Sequence, residues 1–410
     1  MFDNVADANY RKTQERGFRS RGQRTRRNET MKNCFVLFGV GYLGLMANLL
    51  LMGNDAPEKE AQVAPPVAKT VVLELPSGEG NPRNSEGAFV RLETGEILYV
   101  YTHYYGNSGD DHASARLMSR VSKDDGVTWS EEDELVLENE GKLNVMSVSL
   151  LRLRDRSIAL FYLVKEHAGD CRPYVRFSYD EGKTWSQRVQ MINEETYNVL
   201  NNDRVVQLAN GRLLAPIARH AYRGGDVYNY ESKASVFCLI SDDGGRRWKK
   251  SDLVPNAKNI MYQEPGVVEL ADGRLLMTLR NASGRQYFCY STDGGVTWSD
   301  SEPSPLVSPT SPAVIKREPG GDNLIAVWNE SPNARNPLTI GILSPDGQTI
   351  LTKKTLDRSA EGELRGFCYP ALHFVDPETF LVGYCCGRSP WGLNASRVSL
   401  VRFDDLKRNQ

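Results

Sequence analysis

Apolar and polar residues alternate from Val267 to Leu279, and Asp272-Gly273 interrupts the alternation at its middle. Asp-Gly between two apolar runs is a strong hairpin signal, because both residues accept the positive φ of a tight turn. A second alternating run begins at Gln286 and ends in Ser291-Thr-Asp293-Gly-Gly295-Val-Thr297-Trp298. The stretch from Met261 to Trp298 therefore predicts two hairpins in series, four short strands in all. Such a unit cannot bury both of its faces alone and must stack on copies of itself.

The second turn recurs as Ser122-Lys-Asp124-Asp-Gly126-Val-Thr128-Trp129 and Ser178-Tyr-Asp180-Glu-Gly182-Lys-Thr184-Trp185. It recurs again as Ser241-Asp-Asp243-Gly-Gly245-Arg-Arg247-Trp248, with Arg247 in place of Thr, and a worn form at Ser344-Pro-Asp346-Gly has lost its Trp. Successive serines stand 56, 63, 50 and 53 residues apart, a spacing that indicates a repeat fold. Ser and Asp side chains can satisfy backbone N–H groups within each turn, Gly supplies a conformation closed to other residues, and Trp packs beneath. Identical settings imply an identical job, so these aspartates read as structural. The first hairpin recurs as well, with turns at Glu93-Thr-Gly95, Arg154-Asp155-Arg156, Ala209-Asn-Gly211, Ala271-Asp-Gly273, Pro319-Gly-Gly321 and Asp376-Pro-Glu378. Six hairpins predict an all-β chain, one six-bladed β-propeller over residues 71–405, with Thr70 to Leu75 pairing into the last blade beside Arg397 to Phe403.

The head of the chain departs from this pattern. Residues 1–33 carry nine Lys or Arg against four Asp or Glu, and Cys34 to Met52 is a run of 19 residues without charge. That run is just long enough to span a bilayer, and the basic residues before it favour a cytoplasmic head. Residues 34–53 are expected to form a helical signal anchor or a cleaved signal peptide, and 54–70 a flexible stalk. Either way the propeller is exported: membrane-anchored if the apolar segment stays, secreted if it is removed. Beyond residue 33 the charge is 41 basic (50 − 9) minus 48 acidic (52 − 4) groups, or −7, the wrong sign for a nucleic-acid binder. Seven cysteines and five histidines lack metal-ligand spacing, so no metal and no other cofactor is expected.

In a propeller the innermost strands converge on the axis, so residues at one offset from each inner turn surround a common funnel. Nine residues before Gly95, Asp155, Gly211, Gly273 and Glu378 stand Glu86, Met146, Asn202, Glu264 and Tyr369, and the fifth blade offers Ser311-Pro312. The sequences around them, NSE, NVMS, NNDR, YQEP, TSP and CYP, are more polar than a strand interior should be. Glu264 and Arg280 stand at the two outer ends of one hairpin, where cross-strand pairing brings them to a single sheet edge.

The Ser-x-Asp-x-Gly-x-Thr-Trp turn is the Asp box, and the chain resembles the sialidase (neuraminidase) superfamily. The resemblance implies an exo-acting glycosidase that releases a terminal acidic sugar, sialic acid, from a glycan or glycoconjugate. In that family a glutamate precedes a substrate-binding arginine across a Val-Val-Glu-Leu-x-Asp-Gly-Arg hairpin, which assigns Glu264 and Arg280. The arginine opening the strand before a late Asp box matches Arg335, and the last-blade tyrosine matches Tyr369 in GFCYPALHF. The acid/base aspartate before the first Asp box matches Asp111, chosen over Asp110. The family's first-blade Arg-Ile-Pro motif is not matched: the chain reads Asn81-Pro-Arg83-Asn-Ser-Glu86 there, leaving Arg83 or Arg204 as the remaining arginine. Guanidiniums bind a sugar carboxylate through paired charge-assisted hydrogen bonds, and a neutral tyrosine nucleophile avoids the repulsion a carboxylate would meet. Two other readings share these arginines: a hydrolase or lyase on another acidic sugar such as a uronate, and a propeller that binds glycans without catalysis.

Overall fold

The computed structural model describes residues 64–407 except Val227 and Pro390. The basic head, the apolar run expected to be a signal or anchor, and most of the expected stalk lie outside the described residues. No helix among the described residues is long and apolar enough to cross a membrane.

The described residues are all-β apart from a short helix, Phe403–Lys407. Six successive units each hold four antiparallel strands, with first strands Arg83–Arg91, Asn144–Arg152, Val206–Gln207, Gln263–Glu269, Val314–Arg317 and Gly366–Phe374. The sixth unit takes its fourth strand from the start of the described chain: Lys69–Leu75 pairs with Ser396–Arg402, from Lys69 opposite Val401 to Leu75 opposite Ser396. Lys69 and Thr70 are in this strand and Val67 is buried, so ordered chain reaches back into the stretch read as stalk. The second and third units are fused into one sheet by Tyr197–Val199, which runs parallel to Asp170–Ser178 and antiparallel to Leu213–His220. Three residues without alternation gave no signal of this strand.

Middle strands are apolar on both faces; the first eight residues of Ile158–His167 are all buried. Strands covered on both sides read as continuous apolar runs rather than alternating ones. One core lies between the first and second units (Val90, Val100, Val148, Leu160), another between the third and fourth (Leu214, Cys238, Val267, Met277). Others join the fourth to the fifth, the fifth to the sixth, and the sixth back to the first, where Leu381 and Val398 meet Phe89 and Tyr99. Phe161 and Trp248 meet edge to face between the second and third.

The Asp boxes fold as the residue types require. Asp124 accepts from the Thr128 amide (2.8 Å) and hydroxyl (2.6 Å), Gly126 N–H donates to Ser122 Oγ (2.8 Å), and Trp129 Nε1 donates back to the Gly126 carbonyl (3.1 Å). In the third copy the guanidinium of Arg247 replaces the threonine hydroxyl, donating through Nε to Asp243 at 2.9 Å.

Four first strands carry a bulge at the end away from the inner turn. Pairing slips between Ser85 and Ala88, Met146 and Ser149, Gln263 and Pro265, and Cys368 and Ala371. Glu86, Ser147 and Tyr369 sit in these bulges with φ of 56°, 60° and 51°, and Asp203 in the third unit has 55°. A bulge lets one residue leave the ladder and re-aims its side chain. Glu86, Glu264 and Tyr369 of the expected offset take such positions, whereas in the second and third units the positive φ falls one residue later, at Ser147 rather than Met146 and at Asp203 rather than Asn202. In the second unit the cause is visible: Arg156 (φ 71°), not Asp155, takes the left-handed place that Gly95, Gly211 and Gly273 fill in other turns.

Candidate active site

Glu264, the extra residue of its bulge, faces Arg280 at the end of the next strand. Arg280 Nη1 donates to Glu264 Oε2, and Tyr369 Oη donates to Glu264 Oε1 at 3.3 Å. The Arg335 guanidinium lies 5.7 Å from the Tyr369 ring centroid and equally far from that of Trp391, donating to the carbonyls of Trp391 and Thr310 at 3.2 Å each. Thus three units bring the fourth-unit carboxylate and guanidinium, the fifth-unit guanidinium and the sixth-unit phenol to one place.

The first unit adds a second cluster. Arg83 Nη1 donates to Asp111 Oδ1 at 2.5 Å and Nη2 to Glu86 Oε1 at 2.9 Å, while Ser147 Oγ donates to Glu86 Oε2. Nε of Arg83 donates to Ser85 Oγ (3.0 Å), and its guanidinium lies 4.6 Å from the centroid of the Tyr104 ring. The two clusters are tied together by Asn202, whose Nδ2 donates to the carbonyls of Gly87 (2.9 Å) and Tyr369 (3.3 Å). Asp111 is fixed by its backbone too: its carbonyl accepts from Asn144 Nδ2 (2.9 Å) and from the buried Lys165 Nζ (2.5 Å). Asp110, the neighbour not chosen, accepts from the Tyr228 hydroxyl and from the His112 amide (2.9 Å).

Asp111, Glu264, Tyr369, Arg83, Arg280 and Arg335 are each at most 8% exposed. Charges so desolvated act on one another and on a ligand far more strongly than they would in water.

Arg204 lies elsewhere. Its Nη1 donates to the carbonyls of Asn202 (2.8 Å), Pro370 (3.2 Å) and Asp203 (3.3 Å), bracing the backbone next to Tyr369 from the inner-turn side. Burial pulls its guanidinium down to about 10. With Gly266 and Lys316 it lines a cavity of about 540 Å³ that opens among the inner turns and is lined by none of Asp111, Glu264, Arg280, Arg335 or Tyr369.

Sequence reasoning gave Glu86 the shared offset but no role, and it assigned nothing to Ser147, Asn144, Lys165 or Trp391. The Glu86 signal was available, since NSE stands at the offset where YQEP and CYP supply Glu264 and Tyr369. Lys165 carries none: it follows an apolar run within its strand. Among the described residues no cluster of three His, Cys, Asp or Glu side chains could hold a metal ion, and the six described cysteines are buried free thiols.

An all-β array of Asp-box units, gathering buried arginines around a tyrosine–glutamate pair, defines the sialidase class of protein. Residues 144–379, more than half of the chain, match the BNR repeat-like domain, and the chain belongs to this family within the sialidase superfamily. It is similar to the anhydrosialidase of Macrobdella decora, 30% identical over 200 residues, covering 45% of this chain and 25% of that protein. It is also similar to a sialidase of Clostridium perfringens, 25% identical over 241 residues, covering 52% of this chain and 59% of that one. The chain thus spans between a quarter and about three-fifths of these curated relatives. Among solved structures, the leech intramolecular trans-sialidase with 2,7-anhydro-Neu5Ac shares the fold at a TM-score of 0.66 and 15% identity, over 83% of this chain and 71% of that one.

Proposed function

We propose that the protein is an exo-acting glycosidase of the sialidase type, and that its six units are the blades of a six-bladed propeller with the site at the axis. The observation that carries the reading is the chain Arg280–Glu264–Tyr369: a phenol hydrogen-bonded to a carboxylate that a buried guanidinium holds in place. The packing of the sixth unit on the first supports the closed arrangement. Arg280 and Arg335, with Arg83 nearby, bind the sugar carboxylate; Arg204 braces the floor. Tyr369 Oη attacks the anomeric carbon as Glu264 takes its proton, and Asp111 gives a proton to the departing glycosidic oxygen. In the second half an acceptor hydroxyl loses its proton to Asp111 and attacks the anomeric carbon, while Tyr369 leaves and recovers its proton from Glu264.

The relatives differ in name over that acceptor, one being a sialidase and another an anhydrosialidase. Water would yield free sialic acid; a hydroxyl of the sugar itself would yield an anhydro product. Incubating the full chain with a sialylated trisaccharide and identifying products by mass spectrometry tests the class: either product supports it. Release of an unsaturated uronate from a mixed acidic glycan pool, with sialosides untouched, would replace it with the uronate reading, and glycan binding without turnover with the non-catalytic one. Export rests on the charge pattern of residues 1–53; recovery of the protein in the cytosolic fraction would overturn it.

A further inference from the structure

A general acid must carry a proton when substrate arrives, yet the Arg83 guanidinium, 2.5 Å from Asp111 Oδ1, stabilises the ionised carboxylate. The surroundings indicate how both can hold. Nη2 and Nε of Arg83 are bound to groups of its own strand, Glu86 and Ser85, and Glu86 is held in turn by Ser147 of the next unit. Nη1 instead serves the loop between Ile97–Tyr104 and Ala115–Ser122, reaching the Gly109 carbonyl (3.3 Å) and Asp111. Asn144 and Lys165 bond the Asp111 carbonyl and so hold its backbone independently of its carboxylate.

We propose that Arg83 is a shared anchor: Asp111 occupies it in the free protein, an incoming carboxylate displaces Asp111, and the released Asp111 takes up the proton it later donates. The proton comes from solvent, and the charge balances, since the ligand carboxylate replaces the one that Asp111 loses. Glu86 stays on Arg83 in both states and is a positioning residue. The other charged or titratable groups around this point are Asp110 and His112 on the loop, Lys165 from the second unit, Tyr104 beneath the guanidinium, and Cys385 and Tyr369 from the sixth unit, the latter with Glu264. The inference rests on the sialidase-type reading and adds to it a coupling of anion binding to protonation.

The sign follows from linkage. If Asp111 is ionised when free and protonated when the ligand is bound, affinity rises as pH falls, approaching tenfold per pH unit, while sugar carboxylates stay ionised above about pH 4. The test is calorimetric titration of the full chain with the 2,3-unsaturated analogue of N-acetylneuraminic acid, between about pH 5 and 7, in buffers of different ionisation enthalpy. Uptake approaching about one proton per ligand is expected. It should vanish in Asp111→Asn, persist in Glu86→Gln, and be absent with the methyl ester of the analogue. Binding and turnover without proton uptake would overturn the exchange at Arg83 and leave the glycosidase reading intact, and so would uptake that survives Asp111→Asn. Failure of both the analogue and sialosides to bind would remove the glycosidase reading and this inference with it.

Discussion

Replacing Tyr369 by Phe deletes one oxygen and leaves the ring, so it separates chemistry from packing. The hydrogen bond to Glu264 that this variant loses is 3.3 Å long, near the long limit, and a net contribution of at most about 1 kcal/mol is expected from it. The ring keeps its place beside Arg335, and the left-handed backbone is equally awkward for either residue. Thermal unfolding should therefore move by no more than about 1–2 °C in a domain of this size. Turnover should fall by about 10⁴-fold or more, because no other group takes the nucleophile's place. Glu264→Gln supplies the contrast: it also stops deprotonation of the phenol, but it leaves Arg280 buried against a neutral amide. Breaking a buried pair from one side costs about 3–5 kcal/mol, so this variant should lose stability as well as activity. Both are measured by differential scanning calorimetry and by initial rates on a fluorogenic sialoside. If Tyr369→Phe keeps more than about a tenth of wild-type kcat, the nucleophile assignment and the magnitude reasoning behind it are both wrong.

Asp243→Ala removes the acceptor that organises the third Asp box, serving Ser241 and the amides of Arg246 and Arg247. A loss of about 1 kcal/mol with turnover unchanged is expected; a large loss of kcat in a variant of normal melting temperature would give that aspartate a catalytic part. His220 is buried with Nδ1 3.0 Å from the Glu231 carbonyl, and burial pushes its imidazole down to about 3. Folding thus favours the neutral ring, so the stability it contributes is full above about pH 6.5 and declines as pH falls toward 3, by at most about 1.4 kcal/mol per pH unit. His220→Gln should flatten that part of the pH–stability curve, and an unchanged slope would count against the assignment.

Much of the fold was legible because its units repeat. Each Asp box names its own turn through side chains that bond within eight residues, and each inner hairpin carries a left-handed residue at a predictable place. Legibility failed where the local code was substituted. Arg156 fills a position usually given to Gly, which displaced the expected funnel residue from Ser147 to Met146, and Tyr197–Val199 is held by neighbours on both sides rather than by its own pattern. The site divides in the same way. Glu264 and Arg280 sit on one hairpin, so their meeting follows from sequence spacing. The association of Arg83 with Glu86, Ser147 and Asp111 needs three segments whose packing no single stretch encodes. Arg204, close in sequence to the offset position, reads as a possible ligand contact because sequence cannot say to which side of the strand end a long side chain extends.

The bulges have a consequence for how this scaffold can change its chemistry. Each is a seat outside the strand ladder, so the residue it holds can be exchanged without altering the pairings on either side. Glutamate, serine and tyrosine already occupy equivalent seats at 86, 147 and 369. The steric demand is that of a left-handed backbone, which works against β-branched residues and leaves most polar side chains admissible. New specificity on this framework is therefore most accessible by reassigning seats rather than by rebuilding loops.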